Sequence, residues 1–143
     1  ECVYAVIEVK PKLDLGNIQY AGHKAASVRR LVRTNLPVPT VDGVKSPRPL
    51  VPILAGIVAY DSSWSPPLGK PLQDALESSD EPSRLDIGCA ALHGRFGRDA
   101  DNTYVFRTGA RPATGFLFDL ITRLQQRATV PMIDLTAYAK WLD

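Results

Sequence analysis

The chain has 143 residues, 45% of them hydrophobic, and a formal net charge of +2, which suits one domain with a substantial core and gives no general indication of a partner. Its two cysteines, Cys2 and Cys89, are far apart, which excludes a disulfide scaffold and matches no metal-binding spacing. No apolar run approaches the roughly 20 residues that cross a bilayer and no signal peptide is evident, so we expect a cytoplasmic protein with no membrane partner.

The first predicted element is a strand in the segment VYAVIEVK, residues 3–10. Alternate residues of a strand share a face, so Glu8 and Lys10 lie on the same face as Val6. We expect Pro11 to end this strand, because proline cannot donate to a sheet ladder.

A long helix is predicted after the strand, in the segment LDLGNIQYAGHKAASVRRLVRTN. Asp14 or Asn17 can cap its N-terminus, and Pro37 and Pro39 lie beyond its end. Helical spacing predicts a buried stripe of Ile18, Ala21, Ala25, Val28 and Val32. A neighbouring stripe carries Tyr20, Lys24 and Ser27.

The remaining segments predict a mixed α/β domain with helices packed on a small sheet. The continuous apolar run at 50–61 is typical of a central strand that is buried on both faces. The other predicted elements are a proline-rich surface loop at 36–49, a short helix from near Pro71, a strand at 84–94, a glycine- and charge-rich turn in HGRFGRD, a strand at 103–108, a helix at 113–127 and a final amphipathic helix at 132–142. The helix at 113–127 is expected to bury Phe116, Leu117, Leu120, Ile121 and Leu124.

The Glu8-Val9-Lys10 tripeptide has two interpretations. In the first, the Glu8 carboxylate and the Val9 carbonyl bind Mg²⁺, which prefers oxygen ligands, and Lys10 orients or helps to deprotonate an attacking water. In the second, Glu8 and Lys10 form an exposed ion pair on one strand, worth about 0–1 kcal/mol. The tripeptide alone favours the ion pair, because Glu-X-Lys is a common sequence, and the metal site becomes specific only in the context of the strand before it and the helix after it.

The segment VYAVIEVK, followed by NIQYAGHKAASVRRL, resembles the PD-(D/E)XK nuclease superfamily, which has the restriction-endonuclease-like fold. A family of uncharacterised bacterial proteins within that superfamily is also similar to WSPPLG, LDIGCAALHG and the VPMIDLTAYA tail. The resemblance implies an α/β fold with a small central mixed sheet flanked by helices, and Mg²⁺- or Mn²⁺-dependent hydrolysis of phosphodiester bonds in DNA or RNA. It also implies that Glu8 and Val9 bind the metal, that Lys10 positions the water and that Lys24 supports the site.

The superfamily pattern includes an aspartate on a strand upstream of the Glu-X-Lys strand, and no aspartate precedes Glu8 here. We therefore expect residues 1–143 to form a single nuclease-like domain that lacks its N-terminal part. The alternative is a non-catalytic nucleic-acid-binding or assembly module that keeps the fold without a complete metal site. A third hypothesis is a structural domain within a larger defence-related or phage-related protein. A homodimer is left open.

The C-terminal end of the first helix is basic, with Arg29, Arg30 and Arg33 close together. These side chains could contact nucleic-acid phosphates, or they could stabilise the negative end of the helix dipole. The segment HGRFGRD poses a similar choice between a loop that grips a nucleic-acid backbone and a charged hairpin turn, and its composition favours the turn.

Overall fold

The computed structural model describes residues 3–32, 37–46 and 50–127. Its elements in chain order are β1 (Ala5–Leu13), α1 (Leu15–Arg29), β2 (Val38–Thr40), β3 (Gly43–Lys45), β4 (Leu54–Ser62), α2 (Lys70–Glu77), a 3-10 turn (Glu81–Ser83), β5 (Ile87–Ala90), β6 (Gly94–Arg98), β7 (Tyr104–Arg107) and α3 (Pro112–Arg127). The predicted helix at 132–142 lies outside the described residues.

The main sheet has five strands in the order β1-β4-β5-β6-β7. Strands β1, β4 and β5 are parallel, whereas β6 and β7 are antiparallel additions, so the sheet is mixed. Strands β2 and β3 form a separate antiparallel pair. This arrangement confirms the predicted α/β class. The apolar run predicted as a central strand contains β4, an interior strand between β1 and β5, although β5 is the middle strand of the five.

Each face of the sheet is covered by its own hydrophobic cluster. On one face, α1 and α2 pack against β4 and β6, with Ile18, Ile57 and Phe96 among the buried side chains. On the other face, Phe116 of α3 packs against Ile87, Leu54 and Cys89. Burial of these side chains is the main stabilising contribution, at about 1.5–3 kcal/mol for each large one.

Helix α1 begins at a well-formed cap. The backbone amide of Asn17 donates a hydrogen bond to Asp14 Oδ1 at 2.7 Å, and the Asn17 side-chain amide donates to Asp14 Oδ2 at 2.9 Å. Asp14 is therefore the N-cap, one of the two residues that the sequence allowed.

The prediction that Pro11 ends the first strand is wrong, since β1 continues to Leu13. The Leu54 amide donates to the Tyr4 carbonyl, so the backbone groups of even-numbered residues in this part of β1 point toward β4. The pairing of β1 with β4 leaves out Pro11, and β1 is an edge strand of the described sheet. Proline is tolerated at such an edge.

Four other expectations are corrected. The region predicted as a loop contains the β2–β3 pair, and the glycine-rich segment predicted as a turn contains strand β6. Helix α1 ends at Arg29, so Val32 lies beyond it and is 91% exposed instead of buried. Leu117 of α3 is 48% exposed, because the buried side of α3 is narrower than its apolar composition suggests.

No helix within the described ranges is both long enough and apolar enough to span a membrane.

Candidate active site

Glu8 and Lys10 lie on the face of β1 that is covered by α1. Lys10 Nζ is 3.0 Å from Glu8 Oε1, and the two side chains are 23% and 28% exposed. The pair is thus half-buried, and each charge has a partner. The same-strand ion pair of the second interpretation is present, and its partial burial makes it more than a solvated surface contact.

Tyr20 of α1 brings the two lysines of the site together. Lys10 Nζ lies 4.0 Å from the centroid of the Tyr20 ring, and Lys24 Nζ lies 5.4 Å from it. Both distances are within the range of a cation–π interaction. The sequence placed Tyr20 and Lys24 on one stripe, and the structure adds that this stripe faces Lys10 of β1.

A small pocket lies between β1 and α1 at this point. Its volume is about 60 Å³, and Glu8, Lys24 and Gly56 are among its lining residues. Such a volume holds a few waters or an ion and is too small for a nucleotide. The structure therefore brings together Glu8, Lys10 and Lys24, three residues that the sequence singled out, beside a cavity of ionic size.

Glu8 and Val9 offer oxygen ligands, which are the ligands that a hard cation such as Mg²⁺ prefers. Glu8 supplies a carboxylate, and the alternation of backbone groups directs the Val9 carbonyl away from β4, toward the uncovered edge of β1. No group of three histidine, cysteine, aspartate or glutamate side chains in the described part of the chain is placed to hold a metal ion. A metal at Glu8 would need at least one further acid from elsewhere.

The three arginines predicted to contact nucleic acid differ in their surroundings. Arg29 donates to the Ile53 and Arg84 carbonyls at 3.1 and 2.7 Å and pairs with Asp86 at 2.6 Å. Its guanidinium therefore ties α1 to the neighbouring segments of the chain. Arg30 is exposed and its Nε donates to the Ala26 carbonyl within the same helix at 3.2 Å, and Arg33 lies outside the described residues. A phosphate contact by these arginines stays a prediction, and the bonds of Arg29 favour a structural role for that residue.

Sequence reasoning missed a second charged cluster, at the carboxyl ends of the parallel strands. His93 Nε2 lies 2.7 Å from Asp61 Oδ1, and Lys12 Nζ lies 4.0 Å from Asp61 Oδ2. The hydrogen bond with His93 is the main cause that lowers the pKa of Asp61. The signal was available, because Asp61 follows the apolar run of β4 and the carboxyl ends of parallel strands meet at one edge of a sheet.

The chain is similar to two bacterial endodeoxyribonucleases, although no family model matches it. In an alignment that covers 99% of its length, the chain is 50% identical to endodeoxyribonuclease NucC of Pseudomonas aeruginosa. It is 48% identical over the same length to NucC of Escherichia coli strain MS 115-1. The chain spans 59% of the length of each of these relatives.

Solved structures show the same likeness. The cAAA-bound form of NucC from P. aeruginosa ATCC27853 matches with a TM-score of 0.85 and 49% identity, covering 97% of this chain and 58% of that one. The apo form of NucC from E. coli MS115-1 matches with a TM-score of 0.82 and 48% identity, covering 98% of this chain and 63% of that one. The chain therefore has the fold that these proteins adopt over the matched residues.

These relatives support the resemblance to the nuclease superfamily that the Glu-X-Lys strand indicated. The finer expectation, of closeness to an uncharacterised bacterial family, is not supported, since the similar proteins are named endonucleases.

Proposed function

We propose that this chain carries the metal-binding strand of an endodeoxyribonuclease that hydrolyses phosphodiester bonds in DNA with Mg²⁺, or Mn²⁺ in its place. The observation that carries the proposal is the meeting of Glu8, Lys10 and Lys24 around Tyr20, on one face of β1. Similarity to two endodeoxyribonucleases over 99% of the chain supports the reaction, and it favours DNA over RNA as the substrate.

Each residue of the site has a role that its position allows. The Glu8 carboxylate and the Val9 carbonyl would hold the metal ion, which would polarise the scissile phosphate and lower the pKa of a bound water. Lys10 keeps its ammonium within 3.0 Å of Glu8 and can donate a hydrogen bond to a water or a phosphate oxygen beside that carboxylate. Lys24 is exposed above Tyr20 and can neutralise charge on the phosphate.

The metal site needs a second acid, and we propose that a segment outside the described residues supplies it. One side of β1 is left uncovered by the described strands, and the Val9 carbonyl faces that side. An upstream strand that carries an aspartate would pair there, as the superfamily pattern implies. The gene sequence before Glu1 tests this domain assignment, and a coding region without an acid on a predicted strand would contradict it.

Cleavage of plasmid DNA by the full-length gene product tests the proposed activity. Glu8→Gln should abolish Mg²⁺-dependent cleavage with little change in thermal stability, because it keeps the shape of the side chain and removes its charge. Lys10→Ala should also be nearly inactive, yet should still bind metal in a titration, because an ammonium group is not a metal ligand. Glu77→Gln and Lys70→Ala, on exposed positions of α2, are the matched controls and should cleave like the wild type.

Robust cleavage by purified Glu8→Gln, with contaminating nuclease excluded, would disprove the proposed site. Loss of cleavage in both control variants would also count against it, because it would show that any change of surface charge is enough to impair the protein.

The alternative function is a non-catalytic nucleic-acid-binding module. The absence of a three-acid group from the described ranges favours it. Such a module would bind DNA in the presence of Mg²⁺ without cutting it, and Glu8→Gln would leave its affinity unchanged or raise it, since a negative charge is removed. Cleavage that depends on Glu8 would exclude this alternative.

Two further properties belong to the same proposal. Because similar NucC structures include cAAA-bound forms, we propose that cAAA is a ligand of the protein to which this chain belongs, and calorimetric titration with cAAA tests this. A cytoplasmic location and a homodimer stay predictions, and the molar mass from light scattering tests the second.

A further inference from the structure

The face of the sheet opposite Glu8 carries a larger pocket, between α3 and strands β6 and β7. Its volume is about 580 Å³. We call it the arginine pocket. Its charged lining residues are Arg95, Arg98, Asp99, Arg107, Asp119 and Arg123. Val6 and Phe96 belong to the core cluster beside α1, whereas Ile7 packs with Phe116 of α3, so the two faces of the sheet are distinct.

Two glycines make room for the arginines of this pocket. A Cβ atom on Gly115 of α3 would collide with the guanidinium of Arg95, so the absence of a side chain lets Arg95 pass between sheet and helix. A Cβ atom on Gly97 of β6 would lie 2.9 Å from Arg123 Nη2. Guanidinium groups are thus seated in the pocket by the local packing, with Arg95 only 17% exposed.

The negative charge in the pocket does not balance the positive charge. Asp119 is shared, with one oxygen 2.8 Å from Arg95 Nε and 3.6 Å from Arg107 Nη1. The Asp99 carboxylate accepts hydrogen bonds from the backbone amides of the turn before β7, at Asp101 and Thr103.

Arg123 adds to the excess of positive charge in the pocket. Its guanidinium donates to the Arg98 carbonyl, a neutral acceptor. Burial lowers the pKa of Arg123, and the positive charges of Arg107 and Arg127 act in the same direction against the opposing effect of Asp86 and Asp119. Of the four arginines that line the pocket, Arg98 pairs with Glu81 and Asp86, which do not line it. The other three, Arg95, Arg107 and Arg123, have Asp119 as the one lining carboxylate that is not already committed to a turn.

We propose that the arginine pocket binds a phosphate group of a nucleotide or of a nucleic-acid backbone, separately from the Glu8 site. Guanidinium groups match phosphate oxygens in fork geometry, and the charge of a phosphate would offset the excess positive charge. The volume fits the roughly 300–1,000 Å³ typical of small-molecule sites, so the pocket has room for a nucleoside attached to the phosphate. This inference does not depend on hydrolysis at Glu8.

Binding by the full 143-residue chain in metal-free buffer tests the proposal, with adenosine monophosphate and a short DNA duplex as separate probes. Arg107→Gln and Arg123→Gln should each weaken binding by at least about tenfold, because each removes a charge-assisted contact. Arg111→Gln is the matched control. Arg111 is exposed, precedes α3 and does not line the pocket, so its substitution makes the same change of net charge and should leave affinity within about twofold.

The two probes distinguish the sources of the phosphate. Tight binding of the mononucleotide indicates a nucleotide site. Binding of the duplex alone indicates a backbone contact, and the slope of log affinity against log salt concentration should then fall in magnitude by about one in each arginine variant. Because Arg107 is 56% exposed, its variant should fold, and thermal unfolding checks this.

Absence of binding by both probes would overturn the proposal. So would unchanged affinity in Arg107→Gln, or equal weakening in Arg107→Gln and Arg111→Gln, which would show a general effect of charge. A Glu8→Gln chain that fails to cleave DNA yet keeps arginine-dependent binding would show that the arginine pocket binds its ligand independently of the proposed nuclease site.

Discussion

Lys10 belongs to two interactions at once, and this explains how a charged residue can be half-buried on β1. Its ammonium group pairs with Glu8 at 3.0 Å and also rests over the ring of Tyr20 at 4.0 Å. An anion and an aromatic face beside a half-buried ammonium group offset part of the hydration that it loses. The structural and functional interpretations of Glu8-Val9-Lys10 are therefore compatible, since the contacts that stabilise the pair also hold it in place for a substrate.

At the same scale, the Asp61–His93 pair predicts an acid-range dependence of stability. The hydrogen bond with His93 lowers the pKa of Asp61 below its usual value of 3.8. A carboxyl group with a lowered pKa stabilises the folded state above the unfolded pKa, and that contribution is lost as the pH falls through the folded pKa.

The melting temperatures of the wild type and Asp61→Asn, measured from pH 7 to pH 2, test this. The advantage of the wild type should be constant above about pH 5 and should shrink below pH 3.8. Asp42→Asn, which changes an exposed carboxylate beside the β2–β3 pair, should show no such loss. An advantage of the wild type that grows on acidification would contradict the assignment.

Among the elements, α1 depends on its cap more than its composition suggests. It has no acidic residue in its first turn, so the Asp14 carboxylate is the anionic group that complements the exposed amides there. Because α1 carries Tyr20 and Lys24, its N-terminal order also bears on the candidate site.

Asp14→Ala should lower the free energy of unfolding by about 0.5–2 kcal/mol, measured by urea denaturation. Asp80→Ala is a matched control, because Asp80 precedes the 3-10 turn without making a side-chain capping hydrogen bond, and its cost should stay within about 0.5 kcal/mol. Equal losses in the two variants would show that the capping bonds of Asp14 contribute nothing specific.

The elements also show which structural features the sequence could predict. Periodicity and apolar runs were sufficient for β1, α1, β4, α2 and α3, because these segments follow the repeat of a helix or the composition of a buried strand. Strand β6 was missed, since GRFGR has the composition of a turn. Its strand conformation depends on tertiary packing, in which the Phe96 ring fills the space left by Gly88 and Arg98 pairs with Glu81 at 3.4 Å. A prediction that uses only neighbouring residues in the sequence cannot include these partners.

The candidate site was predicted to a similar degree. The strand period placed Glu8 and Lys10 on one face, and the helix period placed Lys24 beside Tyr20. The contact between the two faces depends on the packing of α1 on β1, which the sequence did not specify. Two other contacts depend in the same way on residues that are distant in the sequence. Asp61 and His93 are separated by 32 positions, and Arg29 and Asp86 by 57.

For the whole molecule, the two faces of one sheet have different chemistry. The α1 face presents a carboxylate with two lysines beside a small pocket, and the α3 face presents the arginine pocket. The uncovered side of β1, toward which the Val9 carbonyl points, is where a further acid could complete the metal site. The central claim is that a divalent cation binds at this edge, next to Glu8.

Paramagnetic broadening by Mn²⁺ in amide NMR spectra of the isotope-labelled chain tests that claim most directly, because it reports the position of even a weakly bound ion. Signals of residues 8–10 in β1 and of the α1 residues that face them, Tyr20 and Lys24, should broaden first, and Glu8→Gln should remove the effect. Broadening centred on Asp61 or Asp119, or an unchanged pattern in Glu8→Gln, would contradict a metal site at Glu8.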